Sequence, residues 1–275
     1  MENNKPISTI AIISNKKITK PDYKIIKEIL TYLKNFKIII NKKLAKNFKE
    51  LQENFETKNI KEIYADAVLT FGGDGTILHS LRELPNNPLI LGINFGNLGF
   101  LTELNKKNTI QGIKKLINND FFIEKRKMLL INKKYSALNE LVISGQFPAN
   151  LLNFEINLNK KDKLKFRADG LIIATQTGST TYSLSLGGPI AHPNANVFII
   201  TPINPFLQKQ KSIVVNDKTD ISVTVKKSKV DACLIIDGKV VNKKIKLNEK
   251  ILIKENKKKA KFIRFKKKWK INKII

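Results

Sequence analysis

Gly72-Gly73-Asp74-Gly75-Thr76 places one carboxylate inside a glycine-rich turn, directly after the apolar run Ala67-Val68-Leu69-Thr70-Phe71. Glycines lack a Cβ, so such a turn can adopt positive φ and bring backbone N–H groups close to a phosphate. An aspartate there is too anionic to be a simple phosphate ligand. It suits a group that handles a proton or a metal beside phosphates, and the chemistry indicated is phosphoryl transfer. The competing reading is an ordinary strand-to-helix turn, with Asp74 capping a helix that begins near Thr76. A second run, Thr177-Gly178-Ser179-Thr180-Thr181-Tyr182-Ser183-Leu184-Ser185-Leu186-Gly187-Gly188-Pro189-Ile190, tips the balance. Its six serine and threonine hydroxyls suit ribose and phosphate oxygens, and Tyr182 can support a base or a sugar. A helix N-cap at Ser179 or Thr180 accounts for only one of the six.

These residues need elements to position them. Residues 7–14 form a β-branched apolar run that predicts a first strand. Thr19-Lys20-Pro21-Asp22 reads as a capping box, followed by Tyr23, Ile26, Ile29, Leu30 and Leu33 at helical spacing. Residues 37–40, 67–71 and 89–93 read as further short strands, with a helix over 44–55 and another over 105–118. This alternation predicts an α/β domain with a mostly parallel sheet, whose ligands bind at the carboxyl ends of the strands. Gly92, Gly96 and Gly99 lack the G-x-G-x-x-G spacing, so no Rossmann fingerprint is claimed. From about residue 123 the texture changes to short alternating runs, which predict a β-rich second domain. Asp237-Gly238 between apolar runs is a hairpin signal. The domain division expected is therefore 1–122 and 123–275, with about 251–275 packing back on the first domain. The spacing of Phe262, Phe265 and Trp269 predicts an amphipathic helix over 254–275, with a solvated basic face.

Composition narrows the classes. The 275 residues suffice for two modest domains. No run approaches the ~20 apolar residues of a membrane span, and the N-terminus lacks a signal-peptide layout. A single cysteine, Cys233, suits a reducing cytoplasm, and His79 and His192 stand apart without zinc-ligand spacing, so no protein metal site is expected. The net charge of +28 comes almost wholly from scattered lysines, with only four arginines. That reads as solvated surface rather than a specific nucleic-acid interface, although it favours polyanionic small molecules such as nucleotides.

Taken together, the chain closely resembles the bacterial NAD kinase (ATP–NAD kinase) family. The resemblance rests on Gly72-Gly73-Asp74-Gly75-Thr76, Gly92-Ile93-Asn94 with Gly96, and Leu98-Gly99-Phe100-Leu101. It continues through Leu138-Asn139-Glu140, Phe166-Arg167-Ala168-Asp169-Gly170-Leu171, the run from Thr177 to Ile190, His192-Pro193, Thr201-Pro202 and Asp237-Gly238. These stretches span residues 72 to 238 in family order. The resemblance implies ATP-dependent phosphorylation of the 2′-hydroxyl on the adenosine ribose of NAD, giving NADP, with Mg²⁺ or another divalent cation. It also implies a homodimer or homotetramer. Asp74 matches the family's general base, within the turn of Gly73, Gly75 and Thr76. Asn139 and Glu140 match residues that bind the ribose and adenine of NAD. Asp169, with Arg167, matches the nicotinamide end. Thr177, Thr180, Thr181, Tyr182 and Ser185 match the adenosine-contacting run, and His79, Asn204 and Lys239 fall where family members touch the dinucleotide.

Departures from the family pattern are Gln176 for Pro, Thr181 for Ala, Asn204 for a small residue, Phe206 for His, Lys209-Gln210-Lys211 for an Arg-Pro, and Lys239 for Gln. None touches Asp74, Asn139, Glu140 or Asp169. Two other readings compete. A lipid kinase of the diacylglycerol or sphingosine type shares G-G-D-G-T, but usually carries Asn-Glu soon after it, where this chain has Ile77-Leu78-His79-Ser80. A basic nucleic-acid-binding protein on a degenerate kinase fold would explain the charge but not the intact motifs.

Overall fold

The computed structural model describes residues 6–15, 17–96, 99–147, 150–208 and 210–266. The chain divides into two compact units, one of Met1–Lys125 with Ala260–Ile275, the other of Arg126–Lys259.

The first unit is built on a sheet in the order Glu56–Lys58, Lys37–Asn41, Thr9–Ser14, Ala67–Phe71, Leu89–Asn94, Ala260–Arg264, Phe122–Arg126, with Leu104–Asn105 pairing off Leu89–Asn94. From Glu56–Lys58 across to Ala260–Arg264 the neighbouring strands pair in parallel. Ala67–Phe71 lies inside this sheet and is buried at every residue, as its unbroken apolar run requires of a strand covered on both faces. Thr19 caps the helix Lys20–Tyr32, accepting from the Asp22 N–H at 3.3 Å, and Ile26, Ile29 and Leu33 are wholly buried. The Asp22 carboxylate does not complete the expected box but pairs with Lys106, 2.6 Å away. The single helix expected over 44–55 is two, Lys42–Ala45 and Lys49–Asn54. Phe48 breaks it: its extended backbone (φ −142°) accompanies a ring stacked on Tyr23, with centroids 3.8 Å apart.

The C-terminal segment does return to the first unit, but as a strand. Ala260–Arg264 pairs with Leu89–Asn94 and buries Ala260, Phe262 and Ile263, so the expected amphipathic helix is corrected. The open edge of the neighbouring strand offered backbone partners that a helix would not have used, and this outweighs the helix propensity of the lysines. Lys250–Glu255, partly within that expected helix, is a strand of the second unit, with Ile251 and Ile253 buried and Lys250, Leu252 and Lys254 exposed. Trp269 lies outside the described residues.

The second unit is an antiparallel sheet of eleven strands. Its main path runs Lys239–Ile245, Ala232–Ile236, Glu140–Gly145, Asp162–Thr175, Leu152–Leu158, Ile221–Lys227, Lys250–Glu255, Leu129–Ile131, Tyr135–Ala137. Inward residues alternate along Leu152–Leu158, and Leu152, Phe154 and Ile156 join one large core with Leu141, Ile143, Leu171 and Ile173. The fourteen-residue strand Asp162–Thr175 changes partner midway, from Leu152–Leu158 to Val197–Pro205. Asp237 and Gly238, at φ +45° and +74°, form the expected two-residue hairpin turn.

Candidate functional site

In the first unit, Ala67–Phe71 ends at Gly72, whose φ of +146° suits glycine and little else. A Cβ there would stand 2.3 Å from Thr76 Oγ1. The chain then enters the helix Asp74–Glu83 with Gly73 as N-cap and no capping side chain. The exposed Gly75 has no atom within 4 Å of where a Cβ would sit, so the turn's backbone is accessible to a ligand. A helix N-terminus beginning in glycines offers free N–H groups and a positive dipole end to an anion. Thr76 is buried in the first turn, and His79, one turn on, has Nδ1 3.3 Å from Arg82 Nη2.

Asp74 does not cap its helix. Its half-buried carboxylate accepts two N–H bonds from another loop: Oδ2 from Phe100 at 2.9 Å and Oδ1 from Leu101 at 3.1 Å. Gly99 permits that approach, because a Cβ at this position would lie 2.2 Å from Oδ1. The Gly99 N–H in turn donates to the buried Thr102 hydroxyl at 3.0 Å. Each carboxylate oxygen keeps a further lone-pair position for a proton donor. The result is an aimed acceptor beside an anion-favouring turn, which is the geometry a general base for a hydroxyl requires.

The second unit brings another group together. Asn139 and Glu140, each 7% exposed, start the strand Glu140–Gly145. Asp237 holds them: its carboxylate accepts from the N–H groups of Leu138, Asn139 and Glu140 at 2.9, 2.8 and 3.1 Å. The buried Thr175 hydroxyl donates to Leu138 O at 2.6 Å and accepts from the N–H groups of Thr177 and Gly178. Gly178 must be glycine, since a Cβ would lie 2.1 Å from Asn139 O. The Thr181 hydroxyl lies 2.5 Å from Glu140 Oε2 and 2.6 Å from Gly178 O. Burial pushes the Glu140 carboxyl up to about 7, with a further rise from the charge of Asp237 and a partial offset from the Thr181 hydroxyl.

The other expected residues are placed as follows. Thr180 Oγ1 donates to Thr177 O at 3.4 Å, and Arg126 donates to the Thr177 hydroxyl at the same distance. Tyr182, Ser185 and Lys239 are exposed. Asp169 Oδ2 accepts from Asn204 Nδ2 at 3.2 Å, and Asn204 sits at φ +45°. The Arg167 guanidinium lies over the Phe206 ring, 4.7 Å from its centroid, beside a cleft of about 750 Å³ that Glu155 and Lys226 also line. Phe206, one of the departures noted above, is thus a stacking partner for Arg167.

Asp237 was legible as a turn residue and as part of a family-like motif; its service to three amides almost a hundred positions away was not. Asp237→Ala should leave three backbone donors without their acceptor and destabilise the protein by about 2–4 kcal/mol. Urea unfolding checks this, and a loss under about 0.5 kcal/mol would mean that water replaces the carboxylate at no cost.

A family model described as the ATP-NAD kinase N-terminal domain matches residues 9–121, and one described as the ATP-NAD kinase C-terminal domain matches residues 138–265. A NAD kinase of Methanothermobacter thermautotrophicus is 36% identical over 234 residues, spanning 84% of this chain and 82% of its own. A NAD kinase of Methanosphaera stadtmanae is 37% identical over 245 residues, spanning 87% and 88%. Among solved structures, an NAD kinase from Archaeoglobus fulgidus in complex with ATP has a TM-score of 0.77 at 28% identity, over 96% of each chain. Yeast NADH kinase in complex with NADH shares the fold at a TM-score of 0.85 and 23% identity, over 98% of this chain and 86% of the other.

Proposed function

This chain belongs to the ATP–NAD kinase family, whose members are phosphotransferases, and from that premise we propose the residues that carry its reaction. ATP donates its γ-phosphoryl group to the 2′-hydroxyl of the adenosine ribose of NAD, giving NADP and ADP. Asp74 takes the hydroxyl proton as the oxygen attacks phosphorus, and the bond to the ADP oxygen breaks. The observation that carries this is the Asp74 carboxylate, fixed by the Phe100 and Leu101 amides at the mouth of an open glycine turn. Gly73, Gly75 and Thr76 supply the turn that receives phosphate oxygens.

Asn139 and Glu140 bind the ribose and adenine of NAD, and Thr177, Thr180, Thr181, Tyr182 and Ser185 the adenosine. Asp169 and Arg167 serve the nicotinamide end, while His79, Asn204 and Lys239 touch the dinucleotide. Their support is the resemblance of these motifs to those of the family, together with the burial of Asn139 and Glu140 and the Asp237 bonds that orient their backbone. Among the described residues no group of three or more His, Cys, Asp or Glu could hold a metal ion. A divalent cation would be carried by the nucleotide phosphates beside Asp74, which lies within the glycine turn, and would neutralise phosphoryl charge there. The protein acts as a homodimer or homotetramer in the cytoplasm. No described helix is long and apolar enough to cross a membrane. The lipid-kinase and nucleic-acid-binding readings gain no support from the relatives.

Purified protein with NAD, ATP and Mg²⁺ is expected to form NADP, detected with an NADP-specific dehydrogenase. A folded protein that binds both nucleotides yet forms none would require another acceptor or donor.

A further inference from the structure

Arg264 is 6% exposed at the end of the returning strand Ala260–Arg264 and makes a three-way contact. Its Nε donates to Glu124 Oε2 at 2.7 Å, and Nη1 donates to Leu101 O at 2.8 Å and to Glu103 Oε2 at 3.4 Å. The following residue reinforces the grip, since Phe265 N–H donates to Glu103 Oε1 at 3.0 Å. The Phe262 ring supports the guanidinium, with its centroid 5.0 Å away. Leu101 is therefore bonded at both ends of one residue, through its carbonyl to Arg264 and through its N–H to Asp74 Oδ1.

We propose that Arg264 is a positioning residue that holds the loop of Phe100 and Leu101 so that their amides aim the Asp74 carboxylate. The proposal rests on Asp74 being the base. Its physical content is a chain of two strong contacts through a single residue, which leaves the loop little room to drift. The planar fork presents Nε and Nη1 to a carbonyl and two carboxylates in a fixed geometry, whereas an ammonium is a point charge on a flexible stem that cannot hold all three in that arrangement. A positioned base loses rate steeply with small displacement, and about 1 Å can cost ~10²-fold. Arg264→Ala would leave Glu103 and Glu124 close together without their shared cation, so loss of folding would obscure its effect. Arg264→Lys keeps the charge and gives up the fork.

Arg264→Lys is expected to lower kcat roughly 10- to 100-fold, with KM for NAD and for ATP held within about twofold. Amide hydrogen exchange at Phe100 and Leu101 is expected to quicken about tenfold or more, while the amides of Ala67–Phe71 keep their protection. In an Asp74→Asn background the lysine should cost nothing further, because the group it aims is gone. Unchanged exchange at both amides, or the same fold loss in both backgrounds, would overturn the proposal. Wild-type turnover in Asp74→Asn alone would overturn the base instead, and exchange would still decide the brace. If Arg264→Lys does not fold, Glu124→Gln loosens the same fork while keeping an oxygen acceptor, and the same readouts apply.

Discussion

Asp74→Asn is expected to lower turnover by about 10²–10⁴-fold, the usual worth of a positioned general base. The substitution is nearly isosteric and removes the carboxylate proposed to accept the ribose proton. One side of the amide can still accept from Phe100 or Leu101, but its NH₂ must then face the other N–H, now 2.9 to 3.1 Å from a carboxylate oxygen. That clash of donors costs about 1–3 kcal/mol and is confined to one loop, so the fold should survive. Because the proton moves only as the reaction proceeds, kcat should fall with KM for NAD little changed. Steady-state kinetics beside a thermal unfolding curve check all of this. Turnover within a few-fold of the parent would remove Asp74 from the reaction.

Asp74 could be found in the sequence because everything that makes it conspicuous is local: a buried strand, three glycines and one carboxylate within ten residues. Its restraint was not, because Phe100, Leu101 and Arg264 meet it through tertiary contacts that leave no periodic trace. The same divide separates Thr181 from Asp237. The hydroxyl-rich run announced the first, whereas Asp237 read as a turn and proved to hold Leu138, Asn139 and Glu140 as well. Strands with a buried face, such as Ala67–Phe71 and Leu152–Leu158, were plain from the apolar pattern. Lys239–Ile245 was not, since four of its seven residues are lysine or asparagine and the strand is held mainly by its neighbour Ala232–Ile236. The C-terminal segment shows the reverse failure. Phe262 and Phe265 mimic a helical spacing, but pairing with Leu89–Asn94 settles Ala260–Arg264 as a strand.

Glu140 should make NAD affinity and protein stability respond to pH in opposite directions. The Thr181 hydroxyl has one proton, yet two oxygens lie within 2.6 Å of it. That proton is shared between Glu140 Oε2 and Gly178 O, and its donation to Glu140 favours the charged carboxylate and partly offsets the effect of burial. Burial, then the charge of Asp237, raises the carboxyl from its ordinary 4.5 to about 7 in the folded protein. The folded state therefore binds this proton more tightly than the unfolded chain. Its stabilising contribution is full below about 4.5, declines as pH rises, and is lost above about 7, a change of ~3 kcal/mol. Binding has the opposite sign. Ribose hydroxyls and the adenine amino group bring donors, and only the ionised carboxylate has acceptors alone to meet them. NAD affinity should thus rise about tenfold per pH unit up to 7 and then level off. Glu140→Gln should flatten both profiles, because the amide imitates the neutral acid at every pH. Thr181→Ala should move both midpoints upward by removing the hydroxyl that favours the charge. Calorimetric titration with NAD from pH 5 to 9, beside urea unfolding at each pH, tests the pair. A flat affinity profile in the parent protein, or an equal slope in Glu140→Gln, would show that the dinucleotide does not meet this carboxylate.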